Sequence, residues 1–481
     1  MKALLKYSSI LVLLIFSVSC KVGPNRETPV VETEDLYRYD SLSTATDTIV
    51  NLRWWEMFND PILDTLISTA LDSNRDAKIA ASRVAQARAA LGFTKADLWP
   101  GIGYQAQYQN GNVFQQQLGL PGSNQNLTVG ASFNWELDFW GKFRRANEAA
   151  LADLLSTEFG LRSVQMSLIS EVSSSYFLLL DYRERLRVSY NTLELRDSSL
   201  NIIKARFNSG IVPEIDLNQA QIQQAIAAAA IPLYTRQVAQ TEHALSILVG
   251  FNPDSVVIGY DLKAQNIPNM VPPGIPSILL SRRPDIMAAE QDVYAANARV
   301  GVAVAQQFPS ISLTGLLGVA SNDLASFGAA GAAWSVGGDL LGPLFNFNKN
   351  KRRVQVEKAR TDQVLYAYEK TVLNAFREVQ DALIEISTLH DELDARINYV
   401  NAALNARDLS AARYDKGVTS YLEVLQTEQS AFEAELSYAK TYRELLEAYV
   451  AFYKALGGGW LSAEEEQEAA EAAAAEAEKD K

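Results

Sequence analysis

Leu127-Thr128-Val129-Gly130-Ala131-Ser132-Phe133-Asn134-Trp135-Glu136-Leu137-Asp138-Phe139 alternates without a break between apolar and polar or small residues. A period of two over this length predicts a strand with one greasy face and one wet face. Just upstream, Ile102, Tyr104, Ala106 and Tyr108 alternate with Gly103, Gln105, Gln107 and Gln109. The linker between the two segments, 110–126, is rich in Gly, Gln and Asn, as an exposed loop is. Such segments suit membrane strands of roughly 9–11 residues. Outer-membrane strands turn apolar residues to lipid and polar ones to the lumen.

The pattern occurs twice, because the chain repeats itself. Val84-Ala85-Gln86-Ala87-Arg88-Ala89-Ala90-Leu91-Gly92 matches Val293-Tyr294-Ala295-Ala296-Asn297-Ala298-Arg299-Val300-Gly301. Leu98-Trp99-Pro100 matches Gln307-Phe308-Pro309, Arg144-Arg145 matches Arg352-Arg353, and Ala205-Arg206-Phe207-Asn208-Ser209-Gly210 matches Ala412-Arg413-Tyr414-Asp415-Lys416-Gly417. The second set of alternating residues is Ile311, Leu313, Gly315, Leu317, Val319 and then Trp334, Val336, Gly338, Leu340.

Each repeat reads as helix, two strands, very long helix, helix. Good helix formers run from Asp60 to Leu98, and Pro100 stops them. A proline-free run from 141 to 212 carries Leu151, Leu154, Leu155, Leu161, Val164, Leu168 and Val172 at three- and four-residue spacing. A helix of roughly 65 residues is about 100 Å long. Gly210 and Gly417 mark the reversals into a following helix. The expected organisation is 1–19 export signal, 20–59 lipidated N-terminal segment, 60–255 first repeat, 270–460 second repeat and 461–481 acidic Ala/Glu tail.

Lys2 and Lys6, the apolar stretch after Ile10, and Ser17-Val18-Ser19-Cys20 have the layout of an export signal. Cys20 is the single cysteine, so it forms no disulfide within the chain; it sits where a lipoprotein is cut and acylated. Removing 1–19 takes away two lysines and no acid, which brings the formal charge from −14 to −16 and argues against nucleic acid as a partner. No Ser/His/Asp or Cys/His arrangement, metal spacing or phosphate loop occurs, so neither an enzyme nor a cofactor is expected.

Four strands cannot close a barrel, and an open edge finds no water in lipid. Several chains must share one barrel. Three give twelve strands with closed symmetry, whereas two give eight, an interior that side chains fill. The expected fold is therefore mixed α and transmembrane β: four strands per chain in a trimeric 12-stranded β-barrel, with an internal two-fold repeat.

The two-fold repeat, Leu137-Asp138-Phe139-Trp140-Gly141-Lys142-Phe143-Arg144-Arg145, Arg282-Arg283-Pro284-Asp285 and Ala455-Leu456-Gly457-Gly458-Gly459-Trp460 together resemble the outer membrane efflux proteins, the TolC-like family. The start Cys20-Lys21-Val22-Gly23-Pro24-Asn25 and the Gly-Gly-Gly-Trp ending resemble its lipoprotein branch, typified by OprM and NodT. The resemblance implies a homotrimer anchored in outer-membrane lipid, whose barrel continues into a 12-helix periplasmic α-barrel. That tunnel docks with a periplasmic adaptor and an inner-membrane efflux pump. It implies a passive exit duct for drugs or other small toxic compounds.

The resemblance also implies a narrow periplasmic end near the helix reversals, and places Asp216, Tyr414, Glu423 and Gln426 there. In the type member, Asp occupies the positions of Glu423 and Gln426, and a latching Arg that of Thr419. This chain keeps one acidic ring, at Glu423, with no cation at 419. Leu422, Leu425 and an Asp216–Tyr414 hydrogen bond are the expected packing contacts of the closed end. Arg144 and Arg352 read as solvated helix charges. Trp135, Trp140 and Trp334 suit an interfacial aromatic girdle. Two other functions remain open on the sequence: the outlet of a protein-secretion system, and a periplasmic coiled-coil structural protein.

Overall fold

The computed structural model describes residues 21–25, 29, 53–111, 124–268, 279–321 and 331–458. The export signal, Cys20, most of the 20–59 segment, the linker tips, Gly459-Trp460 and the 461–481 tail lie outside the described residues.

The elements follow the repeat. A 3-10 turn at Trp54–Phe58 leads into α1 (Pro61–Ser73) and α2 (Arg75–Ala96). Then come β1 (Gly101–Gly111), β2 (Asn124–Leu137), α3 (Lys142–Asn208) and α4 (Glu214–Val249). The second set is α5 (Pro284–Ala305), β3 (Ser310–Ser321), β4 (Gly331–Leu341), α6 (Lys349–Asp415) and α7 (Tyr421–Ala455). Both long helices, α3 and α6, have 67 residues.

The stretch read as one helix from Asp60 to Leu98 is two. Asn74 breaks it: its Oδ1 accepts from the N–H groups of Asp76 and Ala77, capping α2, and its Nδ2 donates to the Leu248 carbonyl at 2.8 Å. A capping side chain with a distant acceptor overrides helix propensity here. α2 also ends at Ala96, before Pro100, in a turn where Trp99 N–H donates to the Ala96 carbonyl.

The chain forms two compact units, and each draws on both repeats. The first comprises Met1–Val30, Arg83–Glu158 and Ala288–Lys370. It holds an antiparallel sheet in the order β1-β2-β3-β4. The second comprises Val31–Ser82, Phe159–Met287 and Thr371–Lys481. Its main core gathers Trp54, Phe58, Leu63 and Ile67 with Ile169, Tyr176, Phe177, Leu180, Leu245, Val379, Leu383, Leu446 and Phe452. Asp60, fully buried there, caps α1 through the N–H groups of Ile62 and Leu63 and accepts from Tyr176 Oη at 2.6 Å and Gln265 Nε2 at 2.8 Å. A buried carboxylate survives because every approach to it is a donor.

Arg283, from the Arg-Arg-Pro-Asp motif, ties the same core together. It donates to both carboxylate oxygens of Asp285, to Glu378 at 2.8 Å and to the Ala455 carbonyl at 3.1 Å.

Candidate functional site

In the first unit, strand register decides what each face of the sheet is made of. Directly paired residues point to the same side. Ile102 pairs with Phe133, Tyr104 with Ala131, Ala106 with Val129 and Tyr108 with Leu127. Those positions continue across to Gly315, Leu317, Val319 and Ser321 on β3. From there the row reaches Val336, Trp334 and Ala332 on β4. One face is therefore apolar over all four strands. The other presents Gly103, Gln105 and Gln107, then Thr128, Ser132 and Asn134, then Ser312 and Thr314, then Ser335 and Asp339, with Leu316 and Leu341 as large apolar exceptions. Among the described residues, the outer edges of β1 and β4 pair with no strand. Both carry exposed large apolar side chains, with Ile102 80 % and Val336 80 % exposed.

At the base of the sheet, Asp138 ends β2 and caps α3. Its carboxylate accepts from the N–H groups of Phe143 and Arg144 and from Arg144 Nε at 3.0 Å. Arg144 also donates to the Asp138 carbonyl, so it is a locking side chain and not the solvated charge its sequence suggests. Arg352 remains exposed, bonded to Gln355. Trp140 stacks on Phe308 with ring centres 4.5 Å apart and donates its indole N–H to the Pro309 carbonyl at 2.8 Å. Trp135 donates to the Leu98 carbonyl at 3.0 Å. These two tryptophans are thus packed within the chain, and of the expected girdle only Trp334 stands free, 76 % exposed.

Sequence reading missed Arg145. Its side chain is buried and gathers the segment that follows Cys20. Nε donates to the Val22 carbonyl, and Nη2 donates to the Gly23 carbonyl and to Asn25 Oδ1, each at 3.1 Å. Nη1 pairs with Glu148 at 3.0 Å, and Lys21 pairs with the same carboxylate. Two of its four acceptors are backbone carbonyls 123 and 122 positions earlier, partners that a local sequence pattern does not reveal.

In the second unit, the two helix reversals share one design. Gly210 and Gly417 both have φ +73°, the left-handed region that closes a helix. Ile211 N–H reaches back to the Arg206 carbonyl and Val418 N–H to the Arg413 carbonyl, both at 2.9 Å. Beside them a small core forms from Ile203, Ala220, Tyr421, Val424 and Leu425, with Leu217 and Tyr414 packed against it. Leu425 is spent inside its own chain, whereas Leu422 is 52 % exposed. Gln426 is exposed and Asp216 half-buried.

Two expectations about this end change. No hydrogen bond joins Asp216 to Tyr414 among the described residues; the Arg206 guanidinium lies over the Tyr414 ring at 4.9 Å and pairs with Asp415 at 3.3 Å. Glu423 does have a cation, from the preceding helix: Arg413 Nη1 is 3.3 Å from Glu423 Oε1, and Thr419 donates to the other oxygen. Burial, aided by the charges of Glu428, Tyr414 and Asp216, pushes the Tyr421 phenol well above its ordinary range, so it stays neutral.

Farther along the same helices, Arg196, Arg407, Glu428, Glu435 and Phe432 line a groove of about 230 Å³. Burial raises the Glu428 carboxyl against the pull of Arg196. Among the described residues, no helix is long and apolar enough to cross a membrane, and no group of three His, Cys, Asp or Glu side chains could hold a metal ion.

Residues 66–250 and 275–458 match the family described as outer membrane efflux protein. The chain is 35 % identical over 409 residues to the solvent efflux pump outer membrane protein SrpC of Pseudomonas putida, covering 84 % of this chain and 87 % of that protein. It is 32 % identical over 452 residues to the cation efflux system protein CusC of Escherichia coli, covering 92 % of this chain and 96 % of CusC. Among solved structures, it is similar to the outer-membrane channel OprN, with a TM-score of 0.84 at 30 % identity over 92 % of this chain and all of that one.

Proposed function

The chain belongs to the outer membrane efflux protein family and is an outer-membrane efflux channel; from that membership we propose that three copies share one 12-stranded barrel. The observation that carries the proposal is the sheet: four strands, one largely apolar face and, among the described residues, two unpaired edges. Unpaired backbone cannot face lipid, so β4 of one copy must pair with β1 of the next until the ring closes. Three copies close at twelve strands; two would close a barrel filled by its own side chains.

The α3–α4 and α6–α7 pairs of three copies form a 12-helix tunnel. A periplasmic adaptor joins it to an inner-membrane pump, which delivers small toxic compounds for passive exit. Cys20 carries the lipid anchor. The periplasmic gate lies at the helix reversals, with Asp216, Tyr414, Leu422, Glu423 and Gln426 around the axis and Leu425 supporting them from inside the chain. Native mass measurement of the full-length protein in detergent, paired with planar-bilayer recording, tests the reading. Trimers with steady ohmic pores are expected; single copies without conductance would overturn it. Metabolic labelling with a palmitate analogue tests the anchor, and an unlabelled protein removes Cys20 from the proposal.

A further inference from the structure

The internal repeat makes the inside of the chain a template for its outside. Where β2 ends and β3 begins, two turns meet. The strand-to-helix turn carries Trp140 followed by Gly141 in the left-handed region, and Lys142 then opens a 67-residue helix. The helix-to-strand turn carries Phe308, whose N–H donates to the Ala305 carbonyl. Their rings stack at 4.5 Å, 20° from parallel.

Each turn has a twin. After β4, Phe347 and Asn348 are both left-handed, at φ +50° and +65°, where Trp140 is not, and Lys349 then opens the other 67-residue helix. Before β1, Trp99 N–H donates to the Ala96 carbonyl, at the end of a 22-residue helix matching the 22-residue α5. Phe347 is therefore the counterpart of Trp140, and Trp99 the counterpart of Phe308. The two rings have exchanged places: Trp against Phe in one junction, Phe against Trp in the other.

Inside the chain the second pair does not meet. Trp99 precedes one open edge of the sheet and Phe347 follows the other, and they are 75 % and 84 % exposed. The neighbouring Leu344 and Phe345 are also exposed, and the Phe345 ring lies beside that of Phe347, with centres 4.5 Å apart. If β4 of one copy pairs antiparallel with β1 of the next, as β2 pairs with β3, the end of β4 falls beside the start of β1.

Resting on the shared-barrel reading, we propose that Phe347 of each copy stacks on Trp99 of its neighbour, repeating at every subunit boundary the Trp140–Phe308 stack. The partner surface is thus a second copy of this chain, gripped by an aromatic clasp at the base of the barrel. An aromatic pair adds to the burial of its own area through offset stacking, which makes the contact selective as well as apolar.

Cysteine substitution tests it in the full chain. Trp99→Cys with Phe347→Cys, treated with a short bifunctional maleimide, is expected to give covalent dimers and trimers, and each single substitution none. Trimers by native mass without those products would overturn the clasp and leave the trimer standing; a wild-type protein that never trimerises overturns both. A second measurement covers a cysteine variant that fails to assemble. Trp99→Ala should lower the temperature at which the trimer dissociates by several degrees, and Trp99→Phe combined with Phe347→Trp should return it to the wild-type value. Equal dissociation temperatures for wild type and Trp99→Ala refute the contact.

Discussion

Arg145 Nη2 lies 3.1 Å from the carbonyl oxygen of Gly23, 122 positions earlier in the chain. The bond fixes the residues directly after Cys20 against the base of α3. Gly23 is suited to that place in two ways: its φ is +94°, and a Cβ there would come within 2.4 Å of the Gly301 Cα.

Replacing Arg145 with Leu should release that clamp. Three acceptors and a carboxylate lose their donor, and a hydrogen bond to a charged group is worth about 1.5–3 kcal/mol. We expect a loss of about 3 kcal/mol, since some acceptors will find water. Gly23→Ala should loosen the same segment through backbone strain and the clash with Gly301. Limited proteolysis of folded protein reads both: cleavage near residues 21–25 is expected to quicken in each variant. Cleavage as slow as in wild type means that the clamp bears no load.

The sheet predicts opposite responses from adjacent residues. Phe133 belongs to the apolar face, beside Ile102 and Gly315. Ser132 belongs to the other, beside Gly103 and Leu316. Phe133→Arg should cost about 2–4 kcal/mol if it sits near the bilayer midplane, with Ser132→Arg milder because that face looks into water. Heat-modifiable trimer bands measure the difference. Equal loss of trimer in both variants contradicts the assignment of faces.

How much of this was legible in the sequence depended on how local the cause was. The 67-residue helices follow from proline-free runs, and the faces of the first two strands from strict alternation, both properties of neighbouring residues. Alternation ran on to Phe139, yet β2 stops at Leu137 because Asp138 turns to cap α3. Asn74 breaks a run of good helix formers through a partner at Leu248. Arg145 and Arg413 carried no signal of their own in the sequence, since partners that hold them come from other elements. What propensity and periodicity encode was readable; what a distant acceptor decides was not.

Glu428 gives the fold a pH dependence with a definite sign. Burial raises its folded-state pKa, although Arg196, Ser199 and Arg407 pull the other way. A raised folded pKa means the folded state prefers the protonated acid. Its stabilising effect is complete below the unfolded carboxylate pKa and fades as pH climbs through the folded value. Thermal unfolding followed by helical signal should therefore show wild type gaining stability relative to Glu428→Gln as pH falls from neutral into the ordinary carboxylate range. The variant should be the flatter of the two and no less stable at pH 7. A constant difference between them across that range means that Glu428 has the same pKa folded and unfolded.

At the proposed gate, the charge that matters is a pair and not a lone acid. Glu423 lies 3.3 Å from Arg413, and their side chains are 41 % and 54 % exposed. An ion pair this wet is weak and screened by salt, so it neutralises the ring without welding it shut. Three copies around one axis would place three carboxylates and three guanidiniums in a narrow channel, where the walls focus their field. Removing one member should expose the other. Glu423→Gln leaves the guanidiniums and should shift ion selectivity toward anions. Arg413→Gln leaves the carboxylates and should shift it toward cations, while the double variant returns near wild type. Conductance should change only modestly, because neither substitution alters the packing of Tyr421, Val424 and Leu425 behind the site. Reversal potentials under a salt gradient in planar bilayers measure the shifts, which should shrink as ionic strength rises. If all three variants keep the wild-type reversal potential, Glu423 does not line the pore. It is then an acid in the first turn of α7, placed there because the helix dipole favours negative charge at that end.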